Sequence, residues 1–263
     1  MTGRALLLAA HGSRSDGVAN ALVRQHARRV EAMTGFDQVA VAFHHGTPSF
    51  ATALDALEAA DVTVVPLMTS DGYFSRVVLP RELRRNHCYP RIRVRQTRPI
   101  GTSPGITSLL LRRVAALVRR FRLEPDDTTI VLVGHGTERH GRSGSATLAL
   151  AAALSDPTTR TQVLCAFLDQ PPYVQDVFSR VAKRHRLVIP FLMGGGDHAN
   201  RDIPARLGLT VGPGANPPFV GRVRQRTVVC DAAVGTHPEM ADLIADIVNP
   251  LNHCGTDPRT EVA

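Results

Sequence analysis

Three side chains in this sequence could handle a metal ion together. His135 ends the apolar run "TIVLVGH", Asp169 follows "VLCAFLD", and His198 comes after "VIPFLMGGGDH". Neutral imidazoles beside a carboxylate suit a borderline divalent transition ion. Two histidines leave coordination positions open, which suits an ion in transit better than a structural one. Asp197, Asn200 and Asp202 flank His198 and could orient its ring by hydrogen bonding. A histidine or carboxylate that titrates near neutrality could also accept protons.

Other chemistries fit less well. "HGS" (His11–Ser13) and "HGT" (His135–Thr137) place a hydroxyl near an imidazole, but neighbours on one loop seldom point at each other, and no GxSxG elbow is present. The stretch "GHGTERHGRSG" (Gly134–Gly144) is glycine-rich and basic and could cradle an anion, with His140 a further candidate contact. It matches neither a P-loop nor GxGxxG, so the signal is weak.

The elements that must position these residues occur twice. His11 and His135 are 124 residues apart, and the same offset relates Phe43 to Phe167, Pro48 to Pro172, Pro66 to Pro190, Gly72 to Gly196 and Pro80 to Pro204. Beyond them the offset grows to 134, taking "IGTSP" (Ile100–Pro104) to "VGTHP" (Val234–Pro238). The second repeat therefore gains ten residues, assigned to the Gly/Pro-rich stretch Gly208–Gly221, which is expected to be an irregular loop or flap.

Periodicity predicts strands at Ala5–Ala9, Val39–Phe43, Val62–Pro66 and Ile92–Arg95 in the first repeat. Helices are expected at Asp16–Thr34, Ser49–Ala60, Leu79–Asn86 and Pro104–Phe121. On the first helix, Val18, Leu22, His26, Val30 and Met33 form the expected buried stripe, and Ser49 is a candidate N-cap for the second. The second repeat predicts strands Thr129–Val133, Gln162–Phe167, Leu187–Phe191 and Arg226–Cys230, with helices Ser145–Leu154, Tyr173–Arg184 and Pro238–Val248. Apolar strands alternating with helices imply an α/β fold. Two similar lobes are expected, each a parallel four-stranded sheet flanked by helices, with a cleft between them. The expected boundaries are 1–124, 125–250 and a flexible tail at 251–263, with the polar link "RLEPDDTT" between the repeats. Ligands of such sheets sit beyond the carboxyl ends of the strands, where His135, Asp169 and His198 all fall.

The repeats are not equally armed. In the first, His11 remains, but Phe74 stands where His198 does, and His45, beside His44, stands where Asp169 does. Phenylalanine cannot ligate a metal, so Phe74 is better suited to packing on a flat organic ligand.

Composition narrows the partners. The formal net charge is +8, and Lys183 is the only lysine among 31 basic residues. Basic stretches such as "RIRVRQTR" lack interleaved aromatics, so nucleic acid is not the expected partner. No apolar run approaches the ~20 residues of a membrane span, the first residues lack a signal-peptide layout, and a cytoplasmic protein is expected. Cys88, Cys165, Cys230 and Cys254 form no CxxC pair, which argues against a cluster, a structural zinc or a disulfide framework.

Taken in order and spacing, "LLLAAHGSR", "VAFHHGTPS", "VVPLMTSDGYFSRVVLP", "LVGHGT", "CAFLDQPPY" and "VIPFLMGGGDHANRDIP" resemble the CbiX/SirB family of sirohydrochlorin chelatases, the ATP-independent tetrapyrrole chelatases. The likeness runs nearly to Pro250. It implies insertion of Co²⁺, Fe²⁺ or Ni²⁺, as substrate, into a sirohydrochlorin-type tetrapyrrole of siroheme or cobalamin-type biosynthesis, without a nucleotide. It implies His135 and His198 as the metal ligands, with Gly196 supplying the glycine of a G-x-H loop. Asp169 takes the place of a glutamate thought to help move protons, one methylene shorter. His11, His45 and Phe74 would then face the macrocycle from the first repeat. Duplication supplies within one chain what half-length relatives would need a dimer to form, so a monomer is expected. A metal or tetrapyrrole carrier on the same fold, or a relative acting on another macrocycle or metallophore, are the alternatives.

Overall fold

The computed structural model describes residues 3–13, 17–137, 144–155, 162–177 and 183–249. His140, Cys254, the 251–263 tail and part of the helix expected at Tyr173–Arg184 lie outside these residues. The chain forms two compact units. One comprises Met1–Ser103 with Pro238–Ala263, and the other Pro104–His237.

In the first unit, β1 (Arg4–Gly12), β2 (Gln38–His45), β3 (Asp61–Leu67) and β4 (Arg93–Gln96) form a wholly parallel sheet of order β2-β1-β3-β4. Ala5 to Ala9 are completely buried, because a central parallel strand is covered on both faces. Helix α1 (Gly17–Met33) covers part of this sheet. Its buried line runs through Val23, His26, Ala27 and Val30, while Met33, expected in that stripe, is 48% exposed.

Two predicted helices are shorter than their periodicity suggested. Ser49–Ala60 contains only a 3₁₀ turn at Ala53–Ala56. The backbone turns extended at Leu57, and both Leu57 and Ala59 drop into the core beside Leu54 and Phe50. Ser49 caps no helix; its Oγ accepts from the Thr52 backbone N–H at 3.3 Å. Leu79–Asn86 contains α2 (Leu79–Leu83), entered through a π-helical turn at Phe74–Val78.

The second unit repeats the pattern with β5 (Thr128–Gly134), β6 (Gln162–Phe167), β7 (His185–Pro190) and β9 (Arg226–Cys230) parallel in the order β6-β5-β7-β9. A fifth strand, β8 (Phe219–Val223), pairs antiparallel with β9 at the edge. The inserted segment expected to be irregular up to Gly221 thus ends as a strand. Phe219 is buried in the core and Val220 faces outward, the period-two alternation of an edge strand. Helices here are α3 (Pro104–Phe121), α4 (Ser145–Leu154) and the short α5 (Ile203–Arg206). In the described part of Tyr173–Arg184 there is a 3₁₀ turn at Val174–Asp176.

The compact units cut across the sequence repeats. Helix α3 closes the first repeat but packs beside α4 in the second unit, and α6 (Met240–Val248) closes the second repeat but packs on α1 in the first. Among the described residues, no helix is long and apolar enough to cross a membrane.

Candidate metal-binding site

The strand order explains why His135 has both Asp169 and His198 as neighbours. β5 lies between β6 and β7, and the three residues follow the carboxyl ends of those three strands. Asp169 is pinned to the first histidine by the backbone, its N–H donating to the His135 carbonyl at 2.9 Å. Gly136 then turns the chain at φ 74°, a left-handed conformation that a side chain disfavours. A Cβ there would also stand 2.6 Å from Gln170.

His198 opens a π-helical turn, His198–Asp202, followed by α5. The Gly196 carbonyl accepts from the N–H groups of both Ala199 and Asn200 at 3.1 Å and so starts that turn. The glycines before it were expected to supply positive φ, but none of Gly194 to Gly196 adopts it. Smallness matters instead: a Cβ on Gly195 would lie 2.9 Å from the Thr236 methyl.

The two imidazoles stand 4.9 Å apart between ring centroids and nearly perpendicular, at 87°. That is close enough for one nitrogen of each to reach a shared ion at roughly 2.0–2.1 Å. Each ring has its Nδ1 occupied. His198 Nδ1 lies 2.7 Å from Asp202 Oδ2, and His135 Nδ1 lies 3.0 Å from the Gly136 carbonyl and 3.4 Å from Asp169 Oδ2. Acceptors at Nδ1 favour the tautomer that leaves the Nε2 lone pair open, the form a metal requires. All four side chains are about half exposed.

Of the three candidates for orienting His198, only Asp202 contacts its ring. Asp197 pairs with Arg201 at 3.4 Å, and the Asn200 amide donates to the Gly195 carbonyl, closing the loop. Asp169 stands beside His135, where it can orient and charge-balance that imidazole. The four-residue step from His198 to Asp202 is the signal by which sequence alone could have singled out Asp202, since i and i+4 share a helical face.

In the first unit the equivalent positions form a ring cluster. His11 lies 5.1 Å from Phe74 and 4.9 Å from His45, while His44 lies 4.4 Å from His45 and 4.9 Å from Phe74, edge-on. Phe50 supports Phe74 from the core side at 6.2 Å. His11, His45 and Phe74 are thus brought together in one cluster of rings.

Comparison with known proteins agrees with this architecture. The CbiX family model matches residues 5–117 and 129–250, one match per repeat. A probable sirohydrochlorin cobaltochelatase of Halobacterium salinarum is 29% identical over 92% of this chain and 90% of its own. Among solved structures, a multi-domain Deinococcus radiodurans protein described as structurally similar to chelatases, with two additional domains, is 25% identical with a TM-score of 0.71. The match covers 95% of this chain but spans only 55% of that protein. CbiX, described as the terminal enzyme for siroheme biosynthesis in denitrifying bacteria, is 24% identical with a TM-score of 0.70, over 92% of this chain and 97% of its own. SirB from Bacillus subtilis with Fe³⁺ is 19% identical with a TM-score of 0.72, over 94% of both chains.

Proposed function

Because the chain belongs to the CbiX family, we propose that it is a sirohydrochlorin chelatase that inserts Co²⁺, Fe²⁺ or Ni²⁺ into a tetrapyrrole without a nucleotide, as a cytoplasmic monomer. The observation that carries this reading is the perpendicular His135–His198 pair with a carboxylate at each Nδ1. The relatives named for sirohydrochlorin and siroheme chemistry support the choice of macrocycle.

The chemistry follows from the donor set. Insertion exchanges two pyrrole protons and the ion's water ligands for four ring nitrogens. The ion must therefore be held loosely and partly dehydrated. Two neutral imidazoles do this and leave positions open for the macrocycle. Asp202 and Asp169 orient the ring each faces and offset the charge of the arriving ion. Once the metal leaves, each released Nε2 is a base for a departing pyrrole proton, and the resulting imidazolium is stabilised by its own carboxylate. The half-exposed rings let protons pass on to water. In the first repeat, Phe74 beside His11 and His45 offers an apolar face suited to packing on a flat ligand.

The test is metal insertion followed by macrocycle absorbance, with sirohydrochlorin and each ion in the absence of nucleotide. Catalysed insertion is expected, falling at least a hundredfold in His135→Ala. Tight binding of ion or macrocycle without acceleration over the protein-free rate would replace the enzyme with a carrier.

A further inference from the structure

Away from this site, Asp55, His87 and Cys88 form the one group of three metal-capable side chains that approach one another closely among the described residues, with one ligand atom of each within 4.8 Å of the others. We propose that these three residues bind a divalent transition ion at the surface of the first unit, separately from the histidine pair.

Two distant segments meet in this cluster. Asp55 lies in the 3₁₀ turn Ala53–Ala56, and His87 and Cys88 lie beyond α2, more than thirty residues along the chain. Asn86 joins the two segments. It is buried, at 4% exposure, and its amide donates to Asp55 Oδ1 at 2.8 Å and to the Ala51 carbonyl at 2.7 Å. Its Oδ1 accepts from the Cys88 backbone N–H at 2.8 Å. One buried carboxamide therefore sets both the carboxylate and the backbone of the thiol residue. Ligands placed by a locked supporting residue are the mark of a preorganised site.

The spacings suit an ion. His87 Nε2 lies 3.4 Å from Cys88 Sγ, and His87 Nδ1 lies 3.5 Å from Asp55 Oδ1. Tetrahedral ligands at ordinary Zn–N, Zn–O and Zn–S bond lengths stand roughly 3.3–3.8 Å apart. The His87 ring is 76% exposed, so it has room to turn one nitrogen toward an ion that Asp55 and Cys88 share. With Asn86 on Asp55 Oδ1, the other oxygen is available. A thiolate, an imidazole and a carboxylate select a soft-to-borderline ion such as Zn²⁺ or Co²⁺ and disfavour Mg²⁺ or Ca²⁺. Exposure leaves a fourth position for water.

Sulfur makes the proposal separable from the chelatase reading, because the His135–His198 site has none. Co²⁺ titrated into the reduced full chain should produce thiolate-to-cobalt charge-transfer absorption in the near ultraviolet, bleached by Zn²⁺ but not by Mg²⁺. The band should vanish in Cys88→Ser, and the Co²⁺ affinity behind it should drop at least tenfold in His87→Ala and in Asp55→Asn. It should be unchanged in His198→Ala. No band in the native chain, or a band retained in Cys88→Ser, overturns the site. So does the absence of a band together with fast alkylation of Cys88 that His87→Ala abolishes, which would make the cluster a reactive thiol.

Discussion

The loop after the third strand is built twice on one backbone and finished with opposite chemistry. Both versions run through a π-helical turn, Phe74–Val78 and His198–Asp202, and both are closed between equivalent positions, by Arg76 on Asp71 at 2.6 Å and by Asn200 on the Gly195 carbonyl. Hydrogen bonding to Arg76 also holds the Asp71 carboxyl below its usual range. On this shared frame the second repeat sets two acid–base pairs four residues apart, Asp197 with Arg201 and His198 with Asp202. The first repeat has Tyr73 with Val77 and Phe74 with Val78 at the same places. Tyr73 and Val77 are exposed, 54% and 41%. Both polar pairs have changed together, so the two loops differ in what they present. One presents an imidazole with its carboxylate, and the other presents an apolar surface.

The sharpest way to break this contrast is to make the second loop like the first. His198→Phe should abolish catalysed insertion, a loss of at least a hundredfold, while the fold persists, because Phe74 already occupies the same turn. Circular dichroism and the insertion assay together check it. Retained activity would remove His198 from the site.

Next in size is the partner of that histidine. Asp202→Asn keeps a hydrogen-bond acceptor near Nδ1 but removes the charge, and Val78 shows that the turn forms without it. Metal affinity or insertion rate should fall about 10–100-fold. Asp197→Asn, which touches only Arg201, should change either by less than twofold. Comparable losses in the two variants would mean that net charge matters and not the Asp202 contact.

The histidines and their strands were legible in the sequence because apolar strands, glycines and a fixed offset are local signals. The parallel sheets follow from the same pattern, and helices α3 and α4 begin and end where periodicity places them. The failures are tertiary. Leu57 and Ala59 leave a helical path because the core of the first unit takes them both. Strand β8 exists because β9 offers it an edge to pair with. No periodicity reveals which unit a terminal helix packs in, since an apolar face fits either core. At the site, the sequence offered three polar neighbours for His198, and the i, i+4 step that singles out Asp202 becomes decisive only once the segment is known to turn helically.

The placement of those terminal helices is itself unequal. In the second unit, Arg113 of α3 makes a two-point contact with Asp231, at 2.7 and 2.6 Å, and His237 stands 3.4 Å from the same carboxylate. Asp231 is fully buried, which alone would raise its pKa, but the bonds from Arg113 and His237 outweigh burial and hold it at about 2. The 134-residue offset puts Thr97 and Ile247 at the places of Asp231 and Arg113 in the first unit, so no such pair exists there. A carboxyl lowered on folding from 3.8 to about 2 contributes on the order of 2 kcal/mol. The contribution is complete above about pH 4 and is lost as pH falls toward 2. Asp231→Leu should lower stability near neutrality by about 3–5 kcal/mol, because Arg113 loses its buried carboxylate. Urea midpoints measured between pH 7 and pH 3 should converge for native and variant chains as the pH drops. A gap that stays constant over that range would assign the cost to packing alone.

The smallest expected effect concerns how each repeat supports the loop after its first histidine. The Ser13 N–H donates to Asn20 Oδ1 at 3.1 Å, and the equivalent Thr137 N–H donates to Gln170 Oε1 at 3.0 Å. The supporting amide has changed elements. Position 20 corresponds to Gly144 and position 46 to Gln170, so an Asn/Gly pair in one repeat is a Gly/Gln pair in the other. Space enforces the exchange: a Cβ on Gly144 would lie 2.7 Å from the Gln170 amide, and one on Gly46 would lie 2.8 Å from the Asn20 amide. Gly144→Asn alone should therefore cost about 1–3 kcal/mol by overpacking. Gln170→Gly alone should cost about 1 kcal/mol through the lost hydrogen bond to Thr137. The double variant recreates the first repeat's solution and should recover most of both, a coupling that a double-mutant cycle in urea measures directly. The swap is predicted in this direction only, because Gly46 has φ 152° and a glutamine there would be strained. Additive losses would show that the two amides support their loops independently of the space each one occupies.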